Sequence, residues 1–570
     1  MGCIIKRQFG QKTYYYYSQS LRVQDHVSPG KTRVKTEQIY LGSAEDVRKR
    51  FQESTKPEIV RTRSFGIEAV ALRLAQEIDL VNIIDRHVAK RHQGLSVGQY
   101  LLIAAINRLV QPTSKNGIAG WCETSALPDL MHIDSRLLKC QNFWDAFEKM
   151  VAQKAPLKKT KKSAPNPLVL DDSLLLDIER DLLKNISASY QVPLDTVIYD
   201  STNYFTHFDS LNPSELARFA HSKDGKTNKR CIGLALGQTM TGDLPLFHLI
   251  YSANCHDAKL FPTALSRLAQ CLSQMGRMTR GTVLVMDKGN NSQANIQEAA
   301  KKHGFTVVGS LVPSHFPDLV GKQLGCFTEH AKGLPAYRED LIVFGLPVVV
   351  VMTFNENLRK RQGERLEKRL QIGEERLREV IAKHGKKKSK KELQALLDQV
   401  RRSSGVGKIL RAEVGGRKNK TFLIERRKGE LKLRRQMLGK TILFSTDRQM
   451  PTEIIVCRYR QRDRVEKTFR LTKGASGIPF RPIHHWTDSK IRVFIFTCVL
   501  ALLLWRLIML KLRREGFPIT DGLLRMELAG IREVVLQYSA TEIDHRLSEC
   551  SDVQSNILSI LGVSASPFNK

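Results

Sequence analysis

The sequence has no C-x-x-C pair, and its 10 cysteines stand singly between Cys3 and Cys550. No Cys/His spacing suits a metal, so the cysteines read as reduced thiols packed as small apolar residues. Cys255 and His256 are adjacent, but neighbours in a chain rarely ligate one metal together. An apolar segment is missing near the start, so no secretory signal is expected. "MGCIIK" has Lys6 where acylation wants Ser or Thr. A run of ~20 apolar residues, which a membrane span needs, is lacking too. The stretch "VFIFTCVLALLLW", Val493 to Trp505, stops at Arg506 and reads as a buried core helix. No membrane partner is expected. Tryptophan is scarce: the four are Trp121, Trp144, Trp486 and Trp505, with none in 320–450.

Acid is the other shortage. Against 57 acidic residues stand 91 basic ones, a net charge of +34. An excess that large favours a polyanionic partner, and a long phosphate backbone is the commonest. Ribosomal-type and membrane-surface proteins share such numbers, so charge sets only a class of partner. With 570 residues, 42% of them hydrophobic, the chain is too long for one core. About three or four domains are expected.

Along the chain, "TYYYYSQSLRV" and "VKTEQIYLGS" read as two strands, with a turn signal at Pro29 and Gly30. From about Gly66 to Met150, apolar residues recur at three- and four-residue spacing, which predicts helices. Residues 1–152 therefore form a β-hairpin plus helical domain expected to bind DNA. "QKAPLKKTKKSAPNP", 153–167, reads as a linker. A helix and a series of strands follow in 168–320, including "TVIYDST", a hairpin around "MTGD", and "TVLVMD". Between 321 and 450 the character turns basic and mixed α/β. A charged helix over 355–383, striped by Leu366, Leu370, Leu377, Val380 and Ile381, and a second helix predict a helical hairpin. Residues 451–515 resume regular α/β, and 516–570 is expected to be helical. There are no tandem repeats.

Three carboxylates carry the candidate chemistry. Asp200 closes the strand "VIYD" and Asp287 closes "VLVMD", so each emerges at one edge of a sheet. Taken singly, each is more often a turn former or helix cap. Glu466 lies in "RYRQRDRVEKTFRLTK", 458–473, where seven basic residues face two acids. On a helix, Tyr459, Arg462, Glu466 and Lys473 fall roughly along one face. An exposed, salt-bridged helix explains the acid but not the excess of cations. Phosphoryl transfer explains both. Two divalent ions about 3.5–4 Å apart need carboxylate ligands, while Arg and Lys hold the flanking phosphates.

"IYDSTNYF", "VMDKGNNSQANI" and "YRQRDRVEKTFRLTK" together resemble the catalytic series of bacterial insertion-sequence transposases of the DDE type. The last segment is similar to their Y-(2)-R-(3)-E-(6)-K signature, as Tyr459, Arg462, Glu466 and Lys473. The likeness extends to the segment between the aspartates, to "RPIHHWTDSKIRVFIFTCVLALLL" after the glutamate, and to "QGLSVGQYLLIAAINRLVQPTSK".

The resemblance implies an α/β fold, a ribonuclease H-like mixed sheet core. The mainly helical N-terminal domain precedes that core, and a mixed α/β insertion lies between the second Asp and the Glu. There are 86 residues between Asp200 and Asp287 and 178 between Asp287 and Glu466, the second gap being filled by the insertion. It implies that Asp200, Asp287 and Glu466 bind two Mg²⁺ or Mn²⁺ ions, and that Tyr459, Arg462 and Lys473 hold DNA. The expected activity is cleavage at element ends and strand transfer into target DNA. The alternatives are an inactive transposase-derived DNA-binding protein and a nuclease that cuts without joining. Its partners would be double-stranded DNA, terminal inverted repeats and target alike, and a second copy as a homodimer on DNA. A cytoplasmic, nucleoid-associated, prokaryotic setting is implied. Relatives hold a flipped base on an aromatic ring; with no Trp in 320–450, Tyr337, Phe344 and Phe422 are the candidates there. Asn203 and Lys288 stand close in sequence to the two aspartates.

Overall fold

The computed structural model describes residues 2–24, 32–53, 56–153, 170–209, 211–255, 257–416 and 420–564. The turn at Pro29 and Gly30, His256 and nearly all of the 153–167 linker lie outside them. The chain forms two compact units. One comprises Met1–Arg73, Ala119–Ser135 and Leu523–Lys570, the other Leu74–Ile118 and Arg136–Gly522.

The first unit is built on two small sheets. Where two strands are expected there are three, Gly2–Phe9, Lys12–Gln24 and Thr32–Ser43, in antiparallel order. "GCIIKRQF" has mixed polarity without a clean alternation, which hides it as a strand; pairing with the tyrosine run makes it one. The second sheet joins Ile59–Ser64 to Arg532–Gln537 and Ile543–Leu547. A hairpin thus interrupts the C-terminal span expected to be helical. Val534 and Val535 suit a strand, and the distant Ile59–Ser64 supplies its partner.

The second unit holds a large mixed sheet. Its order is Pro245–Ser252, Arg230–Thr239, Thr196–Phe205, Val283–Met286, Thr306–Leu311, Lys440–Ser445, Leu346–Phe354, Leu334–Val343 and Glu329–Ala331. The short strand Arg218–Phe219 pairs beside Arg230–Thr239. Thr196–Phe205, Val283–Met286 and Thr306–Leu311 run parallel, and the other neighbours are antiparallel. The central strand "VLVM" is buried throughout, as a parallel strand covered on both faces must be. Gly233 and Gly237 lie opposite Tyr251 and Phe247, whose rings occupy the space a side chain would need. Helix Asp488–Arg514 is long and apolar enough to cross a membrane, and its apolar stretch is wholly buried inside the fold. It packs on strand Pro245–Ser252 and helix Val97–Val110.

The sheet claims more of the 321–450 span than the sequence suggests. Leu346–Phe354 and Lys440–Ser445 are adjacent antiparallel neighbours. The excursion between them contains helices Glu356–His384 and Lys390–Ser403, the hairpin Leu410–Gly415/Thr421–Arg426 and helix Lys428–Gln436. It has its own core around Leu366, Leu370, Leu377, Leu393, Leu397 and Leu410. Asn355 caps the first helix through Leu358 N–H, and Ser389 with Glu392 forms a capping box on the second.

Candidate functional site

Register explains how two distant aspartates meet. In the parallel pair, Val283 aligns with Thr196 and Met286 with Tyr199, so the next residue on each strand is Asp287 and Asp200. Adjacent strands lie ~4.8 Å apart, which sets the two carboxylates side by side. Asp287 ends its strand as expected, but Asp200 does not: its strand continues to Phe205. "STNYF" keeps pairing with Arg230–Thr239, so only the parallel neighbour stops there.

Glu466 reaches the same place from helix Asp463–Lys473. Tyr459 belongs to the preceding helix, Thr452–Arg460. The single helix expected here is therefore two. Arg462 N–H bonds Tyr459 O, Arg464 N–H bonds Gln461 O and Val465 N–H bonds Arg462 O, a tighter i−3 pattern that turns the chain at Arg462. The Tyr204 and Thr472 hydroxyls, 2.7 Å apart, tie the Glu466 helix to the Asp200 strand. From the long buried helix, Arg506 Nη2 donates to Thr468 Oγ1 at 3.2 Å.

Arg462 is the centre of the cluster. Its Nη1 lies 3.1 Å from Asp287 Oδ1 and its Nη2 lies 2.8 Å from Glu466 Oε1. Its guanidinium carbon sits 5.6 Å from the centroid of the Tyr459 ring, and Tyr459 OH donates to Ser310 Oγ at 2.7 Å. Burial raises the Tyr459 hydroxyl above its usual range. Burial also pushes the Asp200 carboxyl up to about 6, and the Asp287 charge adds to the rise; Ser201 N–H, Lys223 and Arg462 oppose it. A carboxylate raised in this way is one that a nearby cation would return to its charged form.

Five of the six expected residues therefore gather: Asp200, Asp287, Glu466, Arg462 and Tyr459. Lys473 stands apart. Its Nζ donates to Asp224 Oδ1 at 2.9 Å, and Arg481 Nη1 reaches Asp224 Oδ2 at 3.2 Å. Sequence reasoning missed Asp224, Arg481, Ser310 and Lys223. Lys223 Nζ donates to Ser201 O at 2.8 Å, and Asn203 Oδ1 accepts from Lys223 N–H at 2.9 Å, so Asn203 holds the Lys223 loop beside Asp200. For Lys223 and Asp224 the available signal was the polar density of "HSKDGKTNKR". Of the three aromatic candidates, Phe422 is exposed, Tyr337 donates to Glu339 and Phe344 packs on Phe444.

The donor set of Asp200, Asp287 and Glu466 is oxygen only, which suits Mg²⁺ or Mn²⁺ and disfavours zinc or copper. A second acidic cluster went unforeseen. Asp129, Glu533 and His545 bring their ligand atoms within 4.8 Å of one another. Arg63 bridges this cluster as well: its Nε donates to Glu533 Oε2 at 2.6 Å and its Nη2 bonds Asp129. His545 Nδ1 lies 2.7 Å from Glu533 Oε1, so both oxygens of this fully buried carboxylate are engaged.

A family model, the transposase DDE domain, matches residues 193–504, a span that includes all six candidate residues. No curated protein matches the chain. Among solved structures, the chain is similar to a piggyBac transposase synaptic complex with hairpin DNA. That likeness has 8% identity over 81% of this chain and 79% of the other, with a TM-score of 0.36. A Mos1 transposase paired-end complex with the left transposon end is also similar, at 12% identity over 40% of this chain and 63% of the other, with a TM-score of 0.15.

Proposed function

The chain belongs to the transposase DDE-domain family, and on that footing we propose that it cuts DNA at the ends of a mobile element and joins the freed ends to target DNA. The observation that carries this reading is the convergence of three carboxylates from separate elements, Asp287 and Glu466 paired to Arg462 and Asp200 beside Asp287. We read the large mixed sheet as a ribonuclease H-like core, the 355–439 excursion as its insertion, and Tyr459–Arg462–Glu466–Lys473 as the signature of bacterial insertion-sequence enzymes. The 1–152 span is read as the part that binds the terminal repeats, and two copies as working together on DNA.

Asp200, Asp287 and Glu466 would hold the divalent ions, Mg²⁺ or Mn²⁺. When bound, such ions activate the attacking oxygen and stabilise the leaving one. Asp200 and Asp287 are fixed by strand register and Glu466 by its helix, so the ligands are positioned before DNA arrives. Arg462, relieved of its carboxylates, turns its fork to the phosphate beside the cut. Tyr459, anchored on Ser310, and Lys473, oriented by Asp224, hold the flanking backbone. Water attacks the phosphorus at the element end; the bond to the 3′ oxygen breaks and leaves a 3′-hydroxyl. That hydroxyl, losing its proton, then attacks a target phosphorus and displaces a target 3′ oxygen, so each bond broken is matched by one formed.

The test compares wild type with Glu466→Gln on DNA carrying element ends, in Mg²⁺ or Mn²⁺. Metal-dependent nicking by wild type, lost in the variant while DNA binding persists, supports the reading. Equal cleavage by both removes Glu466 from the site. Binding without cleavage by either favours a non-catalytic DNA-binding derivative.

A further inference from the structure

A cleft of about 420 Å³ opens beside Asp287, with the next residue, Lys288, on its wall. Arg365 and Arg369 enter it from helix Glu356–His384, and Arg434 from helix Lys428–Gln436. Among the described residues no carboxylate lines it. Lys440 also lines it, but its ammonium is spent on the carbonyls of Val320 and Lys322. Lys288, Arg365, Arg369 and Arg434 have no ion-pair or hydrogen-bond partner among the described residues.

This is not for want of acid. On the same helix Glu356 pairs with Arg359 and Glu374 with Arg378, and Glu367 and Glu374 both bind Arg426. The acids serve other faces, while Arg365 and Arg369, one turn apart, are left as a like-charged pair that costs helix stability on its own. Leu366 on the same helix is buried and holds that turn against the excursion's core. Four unpaired cations around one hollow favour an anion with several charged groups. The remaining wall combines the aliphatic Val406, Met437 and Leu438 with the polar Ser314 and Gln362, and among the described residues it includes no aromatic ring on which a base would stack.

We propose that this cleft is a cradle for the sugar–phosphate backbone of the DNA strand passing Asp287, one that grips phosphates and reads no base. The proposal rests on the transposase reading, and it adds a handhold outside the carboxylate cluster, formed where the 355–439 excursion meets the sheet. Its contribution is position: a strand held here is kept from sliding relative to Asp287.

The experiment measures binding of the full chain to a fluorescently labelled duplex of arbitrary sequence across a salt series. Arg365→Gln/Arg369→Gln is compared with Lys368→Gln/Arg376→Gln, which removes equal charge from exposed positions of the same helix outside the cleft. Each phosphate contact contributes about 0.9 to the slope of log affinity against log salt. The cleft pair should therefore flatten the slope by about 2, and the control pair should leave it near wild type. An unchanged slope, or equal flattening by both pairs, overturns the proposal. Lys288→Gln/Arg434→Gln gives a second reading should the first pair lower the unfolding midpoint. ADP and inorganic phosphate are titrated in parallel. If either binds in a cleft-dependent way while the DNA slope is unmoved, the cleft serves a free phosphate compound and the proposal fails. The readout is binding, so it stands or falls separately from cleavage and from Glu466.

Discussion

Arg63 and Arg462 each hold two carboxylates, and the surroundings make the two sites opposites. Around Arg63, Glu533 is fully buried, its two oxygens are taken by Arg63 and His545, and Asp129 completes the pairing. Around Arg462, Asp287 is 32% and Glu466 44% exposed, and a third carboxylate, Asp200, is held at a raised pKa of about 6. Only the first cluster meets a tight distance criterion for a metal. Both Glu533 oxygens, however, are already taken, by Arg63 and His545, and Arg63 ties strand Ile59–Ser64 to Arg532–Gln537. The second has three acids against Arg462 and Lys223, and Asp287 and Glu466 are partly open to solvent. Tight geometry around a buried carboxylate with both oxygens bonded marks a structural clamp; three carboxylates converging with Asp200 held at a raised pKa mark a site for exchangeable cations.

The comparison breaks first at the chemistry. Glu466→Gln should lower end cleavage by about 10³-fold, since a lost metal ligand removes several kcal/mol of transition-state stabilisation. Its urea unfolding midpoint should stay at the wild-type value. Glu533→Gln should do the reverse. Arg63 then keeps only Asp129, and the weakened pairing costs about 1–3 kcal/mol, visible in urea unfolding, with the metal requirement for cleavage unaltered. A saturating divalent ion, at about 100 times its dissociation constant, should add ~2.7 kcal/mol to stability. Asp200→Asn should abolish that gain and Glu533→Gln should retain it.

A third buried cation sharpens the contrast from the other side. Lys115 has no acidic partner among the described residues. Its Nζ lies 4.8 Å from the centroid of Phe147 and 5.8 Å from that of Phe143. Burial, and after it the Arg108 charge, lowers its pKa to about 7. The unfolded chain keeps this lysine protonated to ~10.4, so unfolding takes up a proton between the two values. Stability should therefore rise as pH increases from 7 towards 10, by up to ~1.4 kcal/mol per unit, and be lost again on acidification. In Lys115→Met that dependence should be missing from pH-resolved urea titrations.

The sequence exposed what local pattern controls. Apolar runs announced the Asp200 and Asp287 strands, and basic density with three- and four-residue spacing announced the Glu466 helix. Pairings across long separations were invisible. Lys473 finds Asp224 at 249 positions' distance and Arg63 finds Glu533 at 470. Nothing in either neighbourhood encodes those partners; the fold does. Strand Gly2–Phe9 and the hairpin of Arg532–Gln537 with Ile543–Leu547 were hidden for the same reason, because each becomes a strand only by pairing. The halt at Arg462 was hidden too, since its helical periodicity runs on through a turn that only the backbone reveals.

The most direct test of where a divalent ion sits is cutting of the chain itself. Fe²⁺ takes the place of Mg²⁺, and with ascorbate and peroxide it generates hydroxyl radicals that sever the backbone next to the bound ion. Fragment ends mapped by mass spectrometry should fall near Asp200, Asp287 and Glu466 and be suppressed by excess Mg²⁺. Fragment ends near Asp129, Glu533 and His545 instead would contradict the account and make the Arg63 cluster the metal site.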